Sequence, residues 1–300
     1  MMSKIPGPSR RKFLSRSGMV VLGAALWEER GPDLRPATTA VTEQIVKVPV
    51  IDCHAHAGIA RLSGTKDDLT DPWNAVADPE IILQHAKEAG IDQTVIFPIY
   101  NTTYEKANEE IAEICRRHPG SFIAFADHSP ATEAGRIRTL VLREYHELGV
   151  RGIGEMEEEP NAELLDVAKE LKIPVLVHPP QERVAPFYDF VPSYPEVNFI
   201  VAHLGSSGSD DFEEHLAAIS LAKCYPNVYL DTSNVVLTRY LVMAIKELGP
   251  GKVLFGSDEP ESDCRLEIFK IRNLNLPREH EEMILGGNIL RLLSESKRTA

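Results

Sequence analysis

Cysteine is scarce in this chain of 300 residues: four, at positions 53, 115, 224 and 264, with no CxxC pair. That excludes a zinc ribbon and a disulfide-dense scaffold. Long apolar runs are missing too: none approaches ~18 residues, so no segment crosses a membrane as a mature helix. Basic charge is short. Lys and Arg number 32 against 45 Asp and Glu, a formal net charge of −13. Residues 1–40 hold seven basic and three acidic residues, which leaves 25 basic and 42 acidic from residue 41 onward, or −17. A body that acidic repels polyphosphate and excludes general nucleic-acid binding. There is no internal repeat, no low-complexity tract and no composition break that would mark a second domain. What the chain does have is 43% hydrophobic residues, enough for one large core.

The first forty residues stand apart. Ser9-Arg10-Arg11-Lys12-Phe13-Leu14 precedes a mild apolar run from Ser17 to Trp27, and small residues follow at Ala37-Thr38-Thr39-Ala40. A charged start, a short apolar stretch and a small-residue cleavage site make a secretory signal. The paired arginines resemble the twin-arginine export signal, which a receptor reads. Residues 1–40 are therefore expected to be a removable signal, with the export machinery as a partner and the periplasm as destination. That route carries proteins already folded.

After residue 45, short β-branched runs alternate with amphipathic segments. The runs are Val48–Asp52, Thr94–Pro98, Phe122–Ala126, Arg151–Glu155, Pro174–His178, Asn198–His203, Val228–Asp231 and Val253–Ser257. Each is almost continuously apolar, as parallel strands buried on both faces are. Helical patterns cover Asp78–Gly90, Tyr104–His118, Ala131–Gly149, Asn161–Lys172, Asp210–Tyr225 and Thr238–Gly249. Eight strands alternating with helices predict a single-domain (β/α)8 TIM barrel over residues 41–300. An open doubly wound sheet would want a Gly-rich turn after its first strand, and here that strand runs into His-Ala-His.

Ligand-type residues recur at strand ends. His54 and His56 share a face at spacing i, i+2. His178 ends Pro-Val-Leu-Val-His, His203 ends Phe-Ile-Val-Ala-His, Glu155 closes Arg-Gly-Ile-Gly-Glu and Asp258 follows Val-Leu-Phe-Gly-Ser. In a barrel that end is the mouth where active sites are built. Imidazoles and carboxylates aimed into one mouth form a site for Zn²⁺ or another borderline divalent ion.

The order HxH, His, His, Asp, with the wording IDCHAH, VHPP, AHLG, GSD and GGNILRLL, resembles the amidohydrolase superfamily and its amidohydrolase-2 branch over residues 45–293. The resemblance implies one metal held by His54, His56, His178 and Asp258, with His203 activating water or polarising substrate. Glu155 stands where binuclear members bridge two metals. If it bridges, His178 and His203 would hold a second ion; otherwise it orients a ligand histidine. The implied activity is a metal-dependent hydrolase that activates a metal-bound water to cleave an amide, ester or lactone bond of a small molecule. Asp258 would move the proton and His203 would stabilise the oxyanion. The alternative in the same branch is a non-oxidative decarboxylase of a hydroxy-aromatic or related carboxylic acid. A third reading is an exported solute- or metal-binding barrel without turnover. Pairing of the barrel into a homodimer is a further expectation.

Arg61 and Arg183 are expected in mouth loops, where they could clamp a substrate carboxylate. Asp127 and His128, at the end of the third strand, are candidate pocket residues. His85, His118, His146, His215 and His280 read as surface residues of helices. Cys53 reads as a packed thiol facing the barrel–helix layer, Glu157–Glu159 as a solvated charge run, and Asn288 as the N-cap of the last helix.

Overall fold

The computed structural model describes residues 47–59, 77–99, 101, 103–179, 189–206 and 211–296. The signal segment 1–40, Arg61 and Arg183 lie outside these residues. Eight parallel strands run in sequence order: β1 Ile51–Ala57, β2 Gln93–Pro98, β3 Phe122–Ala126, β4 Gly152–Met156, β5 Val175–Val177, β6 Phe199–Val201, β7 Val228–Asp231 and β8 Val253–Leu254. The chain beyond β8 returns to β1 and closes the ring. Cys53 N donates to Phe255 O (2.9 Å), Asp258 N to His54 O (2.8 Å) and His56 N to Glu259 O (2.7 Å). The expected (β/α)8 barrel is the observed architecture.

Two burial environments explain the nearly continuous apolar strands. Val175, Val177, Phe199, Val201, Val228, Leu230 and Val253 pack with helix residues such as Leu164, Ala168, Ala218 and Leu241. Their neighbours Leu176, Ile200 and Leu254 join Val95, Phe97 and Phe125 in a separate cluster. Each strand thus buries one row outside the barrel and one within it. On β4 the inner row is Gly152 and Gly154. A Cβ on Gly152 would meet the Phe125 ring at 2.5 Å, and one on Gly154 would lie 2.7 Å from Phe97 Cβ. Two phenylalanines fill the space those glycines leave.

Helix starts follow their caps. Asp78 accepts from Glu80 N ahead of Pro79–Ala89, Asn161 from Leu164 N ahead of Ala162–Leu171, and Asp211 from Glu213 N ahead of Phe212–Cys224.

Several expectations need correction. The first strand starts later than Val48 and runs on through Ala57, because its backbone pairs with β2 and with residues 255–259. β8 is shorter than the expected Val253–Ser257 and stops at Leu254, although residues 255–259 beyond it bond β1. The expected helix Ala131–Gly149 is broken after Pro130–Glu133 by Gly135 in the left-handed region (φ 79°). It resumes as Ile137–Arg143 and widens into a π-type turn at Glu144–Leu148. Asn288 is not an N-cap. Helix and π-type turn are continuous from Arg278 to Ser294, and the Asn288 amide donates to Pro250 O and Val253 O, both at 2.8 Å. His215 is fully buried, its Nδ1 bonded to Leu204 O. His85 is half-buried against Glu259. Cys53 packs in the inner cluster with Phe97 and Phe125, not in the helix layer.

Candidate metal centre

Two irregularities shape the site. β1 shifts register between Asp52 and Ala55, and β4 between Ile153 and Glu155. Bulges at barrel rims re-aim side chains, and here they flank His54 and Glu155. His203 and Asp258 sit at φ 54° and 67°, left-handed values that β-carbon residues rarely hold and that recur at functional sites.

These backbones bring five predicted residues together. His54 Nε2 lies 3.5 Å from Glu155 Oε2 and 3.3 Å from Asp258 Oδ1. His56 Nε2 is 3.3 Å from each of the same two oxygens. An ion bound tetrahedrally at about 2.0–2.2 Å needs ligand atoms roughly 3.3–3.6 Å apart. The spacing therefore fits a divalent ion. The other oxygen of Glu155, Oε1, faces His203 Nε2 at 3.1 Å. His54, Glu155, His203 and Asp258 each offer a ligand atom within 4.8 Å of the others. His178 stands beside this group: its ring meets His203 edge-on at 5.2 Å, and its Nδ1 is 3.7 Å from Glu157 Oε2. Glu157 thus faces the site and is not simply part of a solvated run.

The rings are oriented for the task. His54 Nδ1 faces Asp231 Oδ2 at 2.9 Å, His56 Nδ1 faces Pro98 O at 3.2 Å, and His203 Nδ1 faces Ser233 O at 3.2 Å. Every one of these acceptors asks Nδ1 to carry the hydrogen, which leaves the Nε2 lone pairs pointing into the group. Asp231 is itself held by Ser233 Oγ (2.5 Å), Ser233 N and His203 N. Two atoms at the centre, His54 Nε2 and Glu155 Oε1, are buried and meet no hydrogen-bond geometry. Buried polar atoms seldom stay unsatisfied, and a cation would satisfy both.

Electrostatics say the same. Burial opposes charge on His54, yet Glu155, Asp231 and Asp258 outweigh it and hold the ring well above its ordinary range. Burial likewise opposes charge on His56 and His203, but Asp258 and Glu155 lift them to about 10 and about 9. Burial raises Glu155 and Asp258, and the surrounding imidazoles pull both down below the usual carboxylate range. Two buried carboxylates demand positive charge. A bound divalent ion would supply it.

Asp231, Ser233 and Asp52 escaped the sequence reading. Asp231 ends a β-branched run as His178 and His203 do, so the same signal applied. Asp52 accepts from Ser257 N (2.9 Å), Ser257 Oγ (2.6 Å) and His54 N (3.1 Å), pinning the loop that carries Asp258. Burial lifts its carboxyl to about 7. His128 is no pocket residue, since both ring nitrogens are taken, by Glu133 Oε2 and Glu144 Oε2 at 3.0 Å each.

A family model described as Amidohydrolase matches residues 51–294. No curated protein matches the chain in sequence. Among solved structures, an amidohydrolase II is similar at TM-score 0.63 and 18% identity, over 82% of this chain and 99% of its own. The dihydroxybenzoic acid decarboxylase of Polaromonas sp. JS666, solved with manganese and the inhibitor 2-nitroresorcinol, gives TM-score 0.59 and 17% identity over 82% and 97%. The 2,6-dihydroxybenzoate decarboxylase from Rhizobium gives 0.58 and 15% over 81% and 98%. These likenesses show a shared fold.

Proposed function

The chain belongs to the amidohydrolase family, and on that premise we propose that it is a metal-dependent enzyme that decarboxylates a hydroxy-substituted aromatic acid without oxidation. The observation that carries the metal is the set of three imidazoles with Nδ1 tied down and Nε2 turned to two buried carboxylates. The decarboxylase neighbours support the choice of reaction.

His54, His56, Glu155 and Asp258 would hold the ion, with His203 on the far oxygen of Glu155. The mixed nitrogen and oxygen donors suit Mn²⁺ or Zn²⁺. A bound divalent ion supplies a Lewis acid that draws charge onto substrate oxygens. Asp258, steadied at Oδ2 by Asn234 Nδ2 at 3.3 Å, would take the proton of a substrate hydroxyl and pass it to the ring carbon as the carbon–carboxylate bond breaks and carbon dioxide leaves. His203 and His178 would face the substrate, and Arg61 and Arg183 are proposed to clamp its carboxylate.

Hydrolysis of an amide, ester or lactone is the second reading. It is favoured by Glu155, whose two oxygens face different histidines as a bridging ligand would. There Asp258 would take a proton from water and pass it to the leaving group. Protein loaded with Mn²⁺ or Zn²⁺ should release carbon dioxide from hydroxybenzoates; product carrying ¹⁸O from labelled water would instead identify a hydrolase. Export through residues 1–40 belongs to the same proposal: Arg10 and Arg11 changed to Lys should retain the precursor in the cell, and unhindered secretion contradicts it.

A further inference from the structure

Asp127 follows β3 and is 4% exposed, and its Oδ1 is buried without a hydrogen-bond partner. The oxygen lies over the backbone of Gly154, where a Cβ would stand only 1.9 Å away. Gly154 precedes Glu155, so the carboxyl borders the candidate metal centre. Its backbone is locked: Asp127 N donates to Asn108 Oδ1 at 3.0 Å, and Asn108 Nδ2 donates to Asp127 O at 2.9 Å. The neighbouring His128 is fully engaged by Glu133 and Glu144 and lends no hydrogen bond.

An unmet buried polar atom costs about 1–3 kcal/mol, and a native chain keeps such costs mainly at functional sites. Burial also holds this carboxyl well above its usual range, with His56 and Glu155 among the charges it feels. With Oδ1 over Gly154 and His56 and Glu155 among its charged neighbours, Asp127 borders the ion's donors.

We propose that Asp127 is a substrate-contacting residue that hydrogen-bonds a hydroxyl group of the bound acid and so selects acids carrying a second hydroxyl beside the carboxylate. This rests on the decarboxylation reading above. A site built to bond a hydroxyl discriminates strongly against the analogue that lacks it, because its own polar group is then left unpaired.

The test is calorimetric titration of the Mn²⁺-loaded full chain, as wild type, Asp127→Asn and Asp127→Ala, with 2,6-dihydroxybenzoate and 2-hydroxybenzoate. Wild type should prefer the dihydroxy acid tenfold or more. Asp127→Ala should erase most of that preference and Asp127→Asn should keep part of it. Both variants should retain Mn²⁺ affinity and melt no lower than wild type. An unchanged preference in Asp127→Ala overturns the proposal. So does a tenfold loss of Mn²⁺ affinity, which would put Asp127 among the ion's ligands, or a lower melting temperature with the preference intact, which would make it structural. Wild type that binds both acids equally overturns this assignment alone. Wild type that binds neither overturns the decarboxylation reading and this inference with it.

Discussion

Nδ1 of His54 lies 2.9 Å from Oδ2 of Asp231, both side chains are fully buried, and 177 residues of sequence separate them. That bond fixes the tautomer that turns Nε2 towards Glu155 and Asp258. Partners of this kind support metal affinity by about 10–100-fold. Asp231→Asn keeps the shape but offers an amide where the carboxylate stood. Titration with Mn²⁺ or Zn²⁺ should show a loss of that size while circular dichroism stays native; unaltered affinity would remove Asp231 from the account.

Ion content checks the centre itself. Elemental analysis of protein purified without added metal should find one equivalent per chain. Glu155→Gln, which removes one of the two carboxylates shared by His54 and His56, should bind metal at least tenfold more weakly. Two equivalents in wild type would instead reveal Glu155 as a bridge. Chelation should lower the melting temperature, because an ion at one hundred times its Kd stabilises the fold by about 2.7 kcal/mol.

Gly154 has no room for a side chain. Its Cβ would stand 1.9 Å from Asp127 Oδ1 and 2.7 Å from Phe97 Cβ. Gly154→Ala should cost about 1–3 kcal/mol or more in urea melts through overpacking. Near-native stability would mean that Asp127 moves aside freely.

His128 gives the stability a pH signature. Burial opposes its charge, but Glu144 and Glu133 lift it from 6.5 to about 10. The folded state thus holds the proton more tightly, so the contribution is full below pH 6.5 and drains away as pH rises towards 10. Glu133 is also buried, yet the bond from His128 leads the interactions that bring it below 4.5; its share is present above that pH and lost beneath it. His128→Gln should therefore cost most between pH 4.5 and 6.5, about 3–5 kcal/mol for a broken buried pair, and progressively less above. A gap from wild type that is flat across pH 6 to 10 would exclude the charged clamp.

What the amino-acid order determined by itself was the barrel and the level of the site within it. Apolar runs and helix caps are short-range signals, and burying a strand on both faces writes itself into neighbouring residues. Hence His54, His56, Glu155, His203 and Asp258 were all legible as strand-end residues. Only the tertiary structure decided which atoms meet. Asp231 and Ser233 orient rings carried by other strands, the register shifts in β1 and β4 turn His54 and Glu155 inward, and the two oxygens of Glu155 face different histidines. The same holds for His128 in its carboxylate clamp, which its place after the third strand had assigned to the pocket, and for the buried His215, which helical spacing had assigned to the surface. Orientation at bond length depends on contacts between residues remote in the chain, and no local pattern carries that information.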